Sequence, residues 1–181
     1  CLVNCPFGAI ADKSQIFQTI RAIQSGEKVY AAVAPAFVGQ FGPKVTPGKL
    51  RAAMKELGFA DVFEVAIGAD LCAKQEAEDF LKEVPDELPF MATSCCPAWV
   101  KFVTDQYKDY IPNLSTCRSP QGMLSAVIKE YFRDPEHAQG KKTVMVSIMP
   151  CTAKKAEAVR PNSYTKGEQD TDVVITTTEL L

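Results

Sequence analysis

Histidine is nearly absent from this chain, and its cysteines lack the spacing that zinc sites use. His137 is the single histidine among 181 residues, and it stands in a polar stretch at 134–137 where we expect it to be exposed. None of the seven cysteines forms the C-x2-C pair that is typical of structural zinc sites. A zinc site or a simple thiol enzyme therefore has little support.

Long apolar runs, a charge excess and internal repeats are missing too. No apolar run approaches the roughly 20 residues of a membrane span, and the formal net charge is only −2. Such a charge balance indicates neither a nucleic-acid partner nor binding to an anionic membrane surface. With 46% hydrophobic and 23% charged residues, the composition is ordinary for a globular domain with one well-formed core.

The chain also has no initial methionine. It begins at Cys1 and ends at Leu181, where a further helix is expected to start. We interpret it as an internal part of a longer protein that would be inactive by itself. Any targeting segment would precede Cys1, so the cytoplasmic location that we expect does not rest on a signal. Strands from the rest of the protein would pair with those predicted here, so we expect exposed apolar edges and low stability for the isolated chain.

Apolar runs of strand length alternate with stretches of helical periodicity along the whole chain. Helix starts are indicated by cap residues or prolines, namely Ser14, Thr46, Pro97, Ser119 and Thr178. This alternation predicts an α/β fold with a largely parallel sheet flanked by helices. The predicted strands are 29–34, 62–67, 88–92, 143–149 and 173–176.

The helical periodicity also predicts which side chains are buried. One apolar face is expected on each amphipathic helix, whereas 160–172 is the most polar segment and is expected to be a surface loop. The residues predicted to be buried are Ile16, Ile20 and Ile23; Leu50, Ala53, Met54 and Leu57; Trp99, Phe102 and Val103; and Leu124, Val127, Ile128 and Tyr131.

Two cysteine-containing segments follow predicted strands. Cys95 and Cys96 are adjacent, and a disulfide bond between neighbours would strain the peptide, because disulfides prefer Cα atoms about 5.5 Å apart. We therefore expect one of these thiols to be bound and the other to be free. Cys151 follows 143–149 in the same way, and ligands of open parallel sheets bind beyond the carboxyl ends of the strands. Together with the strand end at 34–35, these segments predict a metal or redox site at one edge of the sheet.

The start of the chain carries a different cysteine spacing. Cys1 and Cys5, followed by Pro6, have the C-x3-C-P spacing that closes a bacterial ferredoxin run. In such a run the last cysteine binds the other cluster of a two-cluster module. We therefore predict that residues 1–10 end a ferredoxin-like domain, in which Cys1 and Cys5 ligate different 4Fe–4S clusters.

The segments around Cys95 and Cys151 resemble the first two signature motifs of the iron-only hydrogenases. The likeness extends in order over 58–71, 119–121 and 176–180 and covers essentially the whole chain. It implies an iron-only hydrogenase-like α/β fold whose two-lobed catalytic domain is present only in part, as residues 14–181. It also implies an enzyme that reversibly reduces protons to dihydrogen, with electrons from ferredoxin or a similar carrier and with maturation proteins as further partners.

The resemblance implies a particular cofactor, the H-cluster. This is a 4Fe–4S cluster joined through one cysteine sulfur to a di-iron unit that carries CO, cyanide and a dithiolate bridge. Two of the four cysteine ligands would be Cys96 and Cys151, while the other two would lie beyond Leu181. The pocket of the di-iron unit would be lined by Ala34, Pro35 and Met149.

The other cysteines and two lysines also receive roles from the resemblance. Cys95 would be the free thiol that passes protons to the di-iron unit, since thiols in general have a reference pKa of about 8.5, near working pH. Lys154 would donate a hydrogen bond to an iron-bound cyanide, whereas Lys155 is expected to be solvated. Cys72 and Cys117 match no ligand position, and we expect them to be packed thiols.

A route for protons between Cys95 and water is implied as well. It would use Glu76, Ser115 and Asp79, and the two acids are three residues apart, so a helix would place them on one face. Without the resemblance, these acids would be interpreted as a solvated helix face. Glu83 stands in the stretch where the family often has an arginine, so the outer end of the route departs from the family pattern.

Two other classes of protein share this resemblance. A non-catalytic relative, such as the hydrogenase-like proteins of cytosolic iron–sulfur assembly, would keep the fold and some cluster cysteines without the di-iron site. A hydrogen-sensing relative would add a signalling output through flanking segments. The joint presence of Cys95, Cys96 and Lys154 favours the enzyme, because those residues would serve the di-iron chemistry.

Overall fold

The computed structural model describes residues 6–7 and 13–181. The predicted cluster ligands Cys1 and Cys5 lie outside the described residues, as does most of the predicted ferredoxin-like segment at 1–10. Their roles therefore stay predictions.

Helices and strands alternate through the described part of the chain. Short 3-10 turns lie at Pro35–Phe37, Lys108–Asn113 and Pro161–Ser163. None of the described helices is both long enough and apolar enough to cross a membrane. The elements in chain order are α1 (Ile16–Gln24), β1 (Lys28–Val33), α2 (Pro47–Glu56), β2 (Asp61–Glu64), α3 (Val65–Glu83), α4 (Pro97–Gln106), α5 (Pro120–Tyr131), α6 (Pro135–Ala138), β3 (Thr143–Met149), α7 (Ala153–Glu157), β4 (Tyr164–Thr165), β5 (Glu168–Gln169), β6 (Val173–Thr176) and α8 (Thr177–Leu180).

Four of the strands form one sheet in the order β2-β1-β3-β6, and all its neighbours are parallel. β1 pairs with β3 over its whole length, from Lys28 opposite Thr143 to Val33 opposite Ile148. β4 and β5 form a separate antiparallel hairpin. The parallel sheet confirms the α/β class predicted from the alternation of elements.

Helices cover both faces of this sheet, which is why β1 and β3 are apolar at nearly every position. The core between the sheet and α2 contains Leu50 and Met54. The core on the opposite face contains Leu124 and Ile128 of α5. Side chains of β1 alternate between the two cores, with Val29, Ala31 and Val33 in the first and Tyr30 and Ala32 in the second.

Two helix starts are capped as predicted. Oγ1 of Thr46 accepts a hydrogen bond of 3.3 Å from the amide of Lys49 at the start of α2. Oγ of Ser119 accepts one of 3.3 Å from the amide of Gly122 at the start of α5. In both helices proline occupies the first turn, where its missing N–H costs no intrahelical bond.

Two other cap predictions are wrong by one or two residues. Gln15, not Ser14, precedes α1, and it makes no side-chain cap. Thr176, not Thr178, caps α8, and Glu179 completes a capping box with it. The cap of α8 is therefore the last residue of β6. Because three threonines follow one another at 176–178, the sequence alone does not show which of them is the cap.

The predicted strand at 62–67 is too long. β2 ends at Glu64, and Val65 already lies in α3. The reason lies in the neighbouring strand, because Glu64 pairs with Val33, the last residue of β1. Pro35, which follows two residues later, has no backbone N–H with which to extend the hydrogen bonds between the strands.

The predicted strand at 88–92 does not form. This stretch contributes a single parallel bridge, between Ala92 and Leu114. The bridge is fixed by two hydrogen bonds of 2.8 Å, from the Ala92 amide to the Asn113 carbonyl and from the Ser115 amide to the Ala92 carbonyl. The segment that carries Cys95 therefore does not follow a strand of the main sheet.

The segment 160–172, predicted to be a surface loop, contains the β4–β5 hairpin and a buried carboxylate. Asp170 is 1% exposed and forms an ion pair of 2.8 Å with Arg118. Burial raises the pKa of Asp170, and this effect outweighs the contacts with Thr165 and Arg118 that lower it. The hairpin is thereby fixed to the residues that precede α5.

The predicted apolar faces are only partly buried. Leu50, Met54, Val103, Leu124 and Ile128 are buried, and Ile23 packs against the core at its edge. The low stability expected of the isolated chain stays a prediction. The residues predicted to be buried that are instead exposed are Ile16, Ile20, Ala53, Leu57, Trp99, Phe102, Val127 and Tyr131.

α3 and α5 approach each other closely at Gly68. A Cβ atom built on Gly68 would lie 2.1 Å from the carbonyl oxygen of Pro120 and 3.0 Å from Cβ of Leu124. No side chain fits there without a backbone shift. The absence of a side chain at Gly68 therefore sets the distance between the two helices.

Gly68→Ala should lower the stability of the protein, because the added methyl group must push α3 away from α5. The cost expected for such overpacking is about 1–3 kcal/mol, measured as a lower midpoint of thermal or urea unfolding. Gly48→Ala is the control, since nothing lies within 4 Å of its Cβ position in α2. Equal midpoints for the two variants would contradict the close packing at Gly68.

Candidate functional site

The two cysteine segments meet through one side chain. Nζ of Lys154, in α7, donates a hydrogen bond of 2.8 Å to the carbonyl oxygen of Cys95. This contact joins the turn before α4 to α7, the helix that directly follows the Cys151 turn, although the two residues are 59 positions apart. The structure therefore brings together the segments that the sequence pattern singled out.

Cys96 lies at the N-terminal end of α4. Its Sγ accepts a hydrogen bond of 3.5 Å from the amide of Trp99, and Pro97 begins the helix. The residue is exposed. The positive end of a helix dipole stabilises an anionic sulfur, so the site suits a thiolate that binds a metal.

Cys151 lies in the turn between β3 and α7, and it is half-buried. The end of β1 lies beside this turn, because the amide of Ala34 donates a hydrogen bond of 3.0 Å to the carbonyl of Ile148. Ala34 and Met149 are buried at this edge of the sheet, whereas Pro35 is exposed. Two of the three predicted strand ends thus lie side by side, as expected for a parallel sheet.

Lys154 is held in place by a carboxylate. Its Nζ lies 2.7 Å from Oε2 of Glu157, and Oε1 of Glu157 accepts a hydrogen bond from Oγ of Ser119. The side chains of Lys154 and Glu157 are only 14% and 11% exposed. The ammonium group is therefore directed into the protein rather than solvated.

The sequence did not indicate that Glu157 pairs with Lys154, or that the Ser119 hydroxyl donates a hydrogen bond to Glu157. The three-residue spacing between Lys154 and Glu157 is a signal that could have suggested their ion pair. Ser119 was identified only as a cap. Lys155, which was expected to be solvated, instead lies 2.9 Å from Glu179 and is largely buried, so that prediction is wrong.

Glu179 connects α8 to this region. Burial alone would raise its pKa, but hydrogen bonds from Lys155, from the Thr176 amide and from Ser14 outweigh that effect and lower the pKa of Glu179 to about 2. The amide of Gln15 also donates to Oε1 of Glu179. An ionised carboxylate thus joins the start of α1, α7 and α8.

The predicted proton-route residues lie on α3 and on the segment before α5. Glu76 is half-buried, and its Oε1 is buried with no hydrogen-bond partner among the described residues. Ser115 is 8% exposed, and its Oγ accepts a hydrogen bond of 3.2 Å from the amide of Cys117. Asp79 is half-buried and accepts a hydrogen bond of 3.0 Å from the side chain of Gln75.

Two thiols lie among these residues. Burial raises the pKa of the Cys72 thiol to about 12, with further contributions from Cys117 and from the charges of Glu76 and Cys95. Burial also raises the pKa of Cys117, and the nearby Glu76 and Asp79 add to the effect. The two sulfur atoms lie 3.8 Å apart, and the Cys117 amide bonds to Ser115. The burial of Cys72 agrees with the prediction of a packed thiol.

His137 is only partly exposed, unlike the prediction. Its ring stacks on Tyr131 with a centroid distance of 3.9 Å, and its Nδ1 lies 3.1 Å from the Tyr131 carbonyl. No group of three or more His, Cys, Asp or Glu residues within the described ranges could hold a metal ion. Cys96 and Cys151 therefore belong to no complete metal site within the described residues, and their role as ligands stays a prediction.

Glu157→Gln should destabilise the protein, because it leaves the Lys154 ammonium partly buried without its counter-charge. The expected loss is about 1–3 kcal/mol, measured as the change in the urea unfolding midpoint. Asp105→Asn is the matched control, because the Lys101–Asp105 ion pair lies on the surface of α4 and should contribute less than about 0.5 kcal/mol. Similar small shifts in both variants would contradict a structural role for Glu157.

Comparison with known proteins identifies related chains. A family model described as the C-terminal domain of the iron only hydrogenase large subunit matches residues 27–181. The NADP-reducing hydrogenase subunit of Solidesulfovibrio fructosivorans is 38% identical over 99% of this chain and 33% of that protein. The chain thus spans about a third of the length of this curated relative.

A solved structure and a second kind of relative add to this comparison. An FeFe-hydrogenase variant from Chlamydomonas reinhardtii superposes with a TM-score of 0.81 at 34% identity, over 92% of this chain and 46% of that one. The cytosolic iron-sulfur assembly component 3 of Bos taurus is 31% identical over 78% of this chain and 31% of that protein. Similarity therefore extends both to hydrogenases and to a protein named for iron–sulfur assembly.

Proposed function

We propose that this chain, which belongs to the iron-only hydrogenase family through the C-terminal domain of the large subunit, forms part of an enzyme that interconverts protons, electrons and dihydrogen. The observation that carries the proposal is the hydrogen bond from Lys154 to Cys95. It joins the two cysteine segments, and Cys95 is a free thiol next to Cys96 in the chain.

Cys96 and Cys151 would both ligate the one 4Fe–4S cluster of the H-cluster. Both are free thiols with at least partial exposure, and a four-cysteine cluster would draw its other two ligands from elsewhere in the complete protein. When bound, the H-cluster would supply the electrons and the metal at which protons combine to dihydrogen. Ala34, Pro35 and Met149 would line its di-iron unit, with two buried apolar side chains that exclude water.

Cys95 would hold the proton nearest to the metal, at its Sγ. The residue is half-buried, which limits direct exchange of that proton with solvent. Lys154 would provide a fixed positive charge at the backbone of Cys95, because Glu157 and the Cys95 carbonyl hold its ammonium group. Such a charge favours an anionic cofactor and its cyanide ligands.

Glu76, Ser115 and Asp79 would carry protons from Cys95 towards water. Oε1 of Glu76 has no hydrogen-bond partner among the described residues, so it can accept a proton. Oγ of Ser115 is already an acceptor for the Cys117 amide, which leaves its own hydrogen free to be donated. Asp79, bonded to Gln75, would form the outer part of the route.

Electrons would arrive from ferredoxin or a similar carrier through upstream 4Fe–4S clusters, to which Cys1 and Cys5 would contribute. Maturation proteins would install the di-iron unit, and the complete protein would act in the cytoplasm. No nucleic acid is required by any of these steps.

Cys95→Ala should abolish most of the hydrogen evolution of the complete protein, because the thiol that relays the proton is lost. Loss of a general acid costs about 100-fold or more in rate, and the rate is measured with a reduced viologen or reduced ferredoxin. Cys117→Ser is the control, since Cys117 is also a half-buried free thiol and contacts the relay residue Ser115 through its backbone amide, which the substitution keeps. Full activity of Cys95→Ala at unchanged iron content would contradict the proposal.

Glu76→Gln should slow hydrogen evolution by about 10- to 100-fold while leaving the cofactor in place, because glutamine cannot exchange the carboxyl proton. Glu78→Gln is the control on the exposed side of α3, and it should retain the unaltered rate. Equal rates of hydrogen evolution for the two variants would contradict a role for Glu76 in proton transfer.

The second candidate function is a non-catalytic role in iron–sulfur assembly. Similarity to the assembly component of Bos taurus supports it. In that case the complete protein would bind 4Fe–4S clusters through Cys96 and Cys151 but would evolve no dihydrogen after treatment with maturation proteins. Hydrogen evolution would therefore decide between the two candidates.

A further inference from the structure

Cys72 and Cys117 are two free thiols that the proposed chemistry does not use. Their sulfur atoms lie 3.8 Å apart, although the residues are 45 positions apart in the chain. Cys72 is 4% exposed in α3, whereas Cys117 is half-buried just before α5. Sγ of Cys117 also lies 3.4 Å from the Arg118 carbonyl and 4.0 Å from the Cys72 carbonyl.

The backbone around both thiols is fixed. Gly68, one helical turn before Cys72, packs against the carbonyl of Pro120 with no room for a Cβ atom. The carbonyl of Cys117 accepts a hydrogen bond of 3.2 Å from Oγ of Ser94, and its amide donates one of 3.2 Å to Ser115. The two thiols therefore face each other because their supporting elements are held together.

We propose that Cys72 and Cys117 form an oxidation site, a dithiol that closes reversibly into a disulfide bond between α3 and the segment before α5. To form the bond, the sulfur atoms must approach from 3.8 Å to about 2.05 Å. The inference concerns these thiols alone and holds for a catalytic or a non-catalytic protein.

The oxidant is a low-molecular-weight disulfide. The Cys117 thiolate attacks one of its sulfur atoms, forms a mixed disulfide and releases one thiolate, which takes up a proton. The Cys72 thiolate then attacks Sγ of Cys117 and releases the second small thiol. Overall, two protein thiols lose two electrons, the small disulfide gains them, and both protons leave with the two small thiols.

The order of attack follows from accessibility. Cys117 is half-buried and can meet a small molecule, whereas Cys72 is shielded from solvent and its sulfur lies 3.8 Å from that of Cys117. Burial raises the pKa of both thiols, so the thiolate is scarce at neutral pH. The rate of closure should therefore rise roughly tenfold for each pH unit between about pH 7 and 9.

The test treats the complete protein, with its iron sites intact and under anaerobic conditions, with oxidised glutathione. After alkylation of the remaining thiols, trypsin should release the peptides 56–74 and 109–118 joined by a disulfide bond, while Cys95 and Cys96 would lie in the separate peptide 83–101. Dithiothreitol should restore both thiols.

Two variants distinguish the first attack, by Cys117 on glutathione disulfide, from the second, by Cys72 on Cys117. Cys72→Ser should retain glutathione on Cys117, because no second thiol can displace it, whereas Cys117→Ser should leave Cys72 unmodified. Glutathione that stays on Cys117 in the unaltered protein would overturn the proposal. A cross-link between Cys72 and Cys95, or no reaction at either thiol, would overturn it as well.

Discussion

The ammonium group of Lys154 holds the candidate site together. It bonds to the Cys95 carbonyl and to Glu157 at once, so it joins one cysteine segment to the helix that follows the other. Glu157 is in turn fixed by Ser119, which caps α5. Since α5 packs against the sheet and against α3, the position of both cysteine segments depends on the central core of the fold.

Some elements could be predicted from the sequence because local chemistry decides them. The bounds of β3 and β6 were predicted correctly, since these apolar runs are buried and end at residues that start turns or helices. The bounds of β2 were not, because its end depends on where β1 stops. The run at 88–92 looks like a strand by composition, yet Ala92 finds only Leu114 as a partner.

The candidate site, like the fold, could be predicted only in part from the sequence. The cysteines and Lys154 are recognisable because they lie in short motifs, and the structure shows that their segments meet. Other contacts join residues that are far apart in the chain. Glu157 and Ser119 are 38 positions apart, and Cys72 and Cys117 are 45 positions apart. Those contacts depend on how α3, α5 and α7 pack, which neither spacing nor periodicity encodes. Roles on the proton route remain predictions of the resemblance.

The most direct test of a di-iron site is the infrared spectrum of the complete protein, matured with hydrogenase maturation proteins and purified without oxygen. If Cys96, Cys151 and Lys154 belong to an H-cluster site, the spectrum will show stretching bands of iron-bound CO and cyanide, and the cyanide bands will shift in Lys154→Met. A protein that shows the signals of 4Fe–4S clusters but no CO or cyanide bands would contradict the account, and would assign the chain to the iron–sulfur assembly relatives.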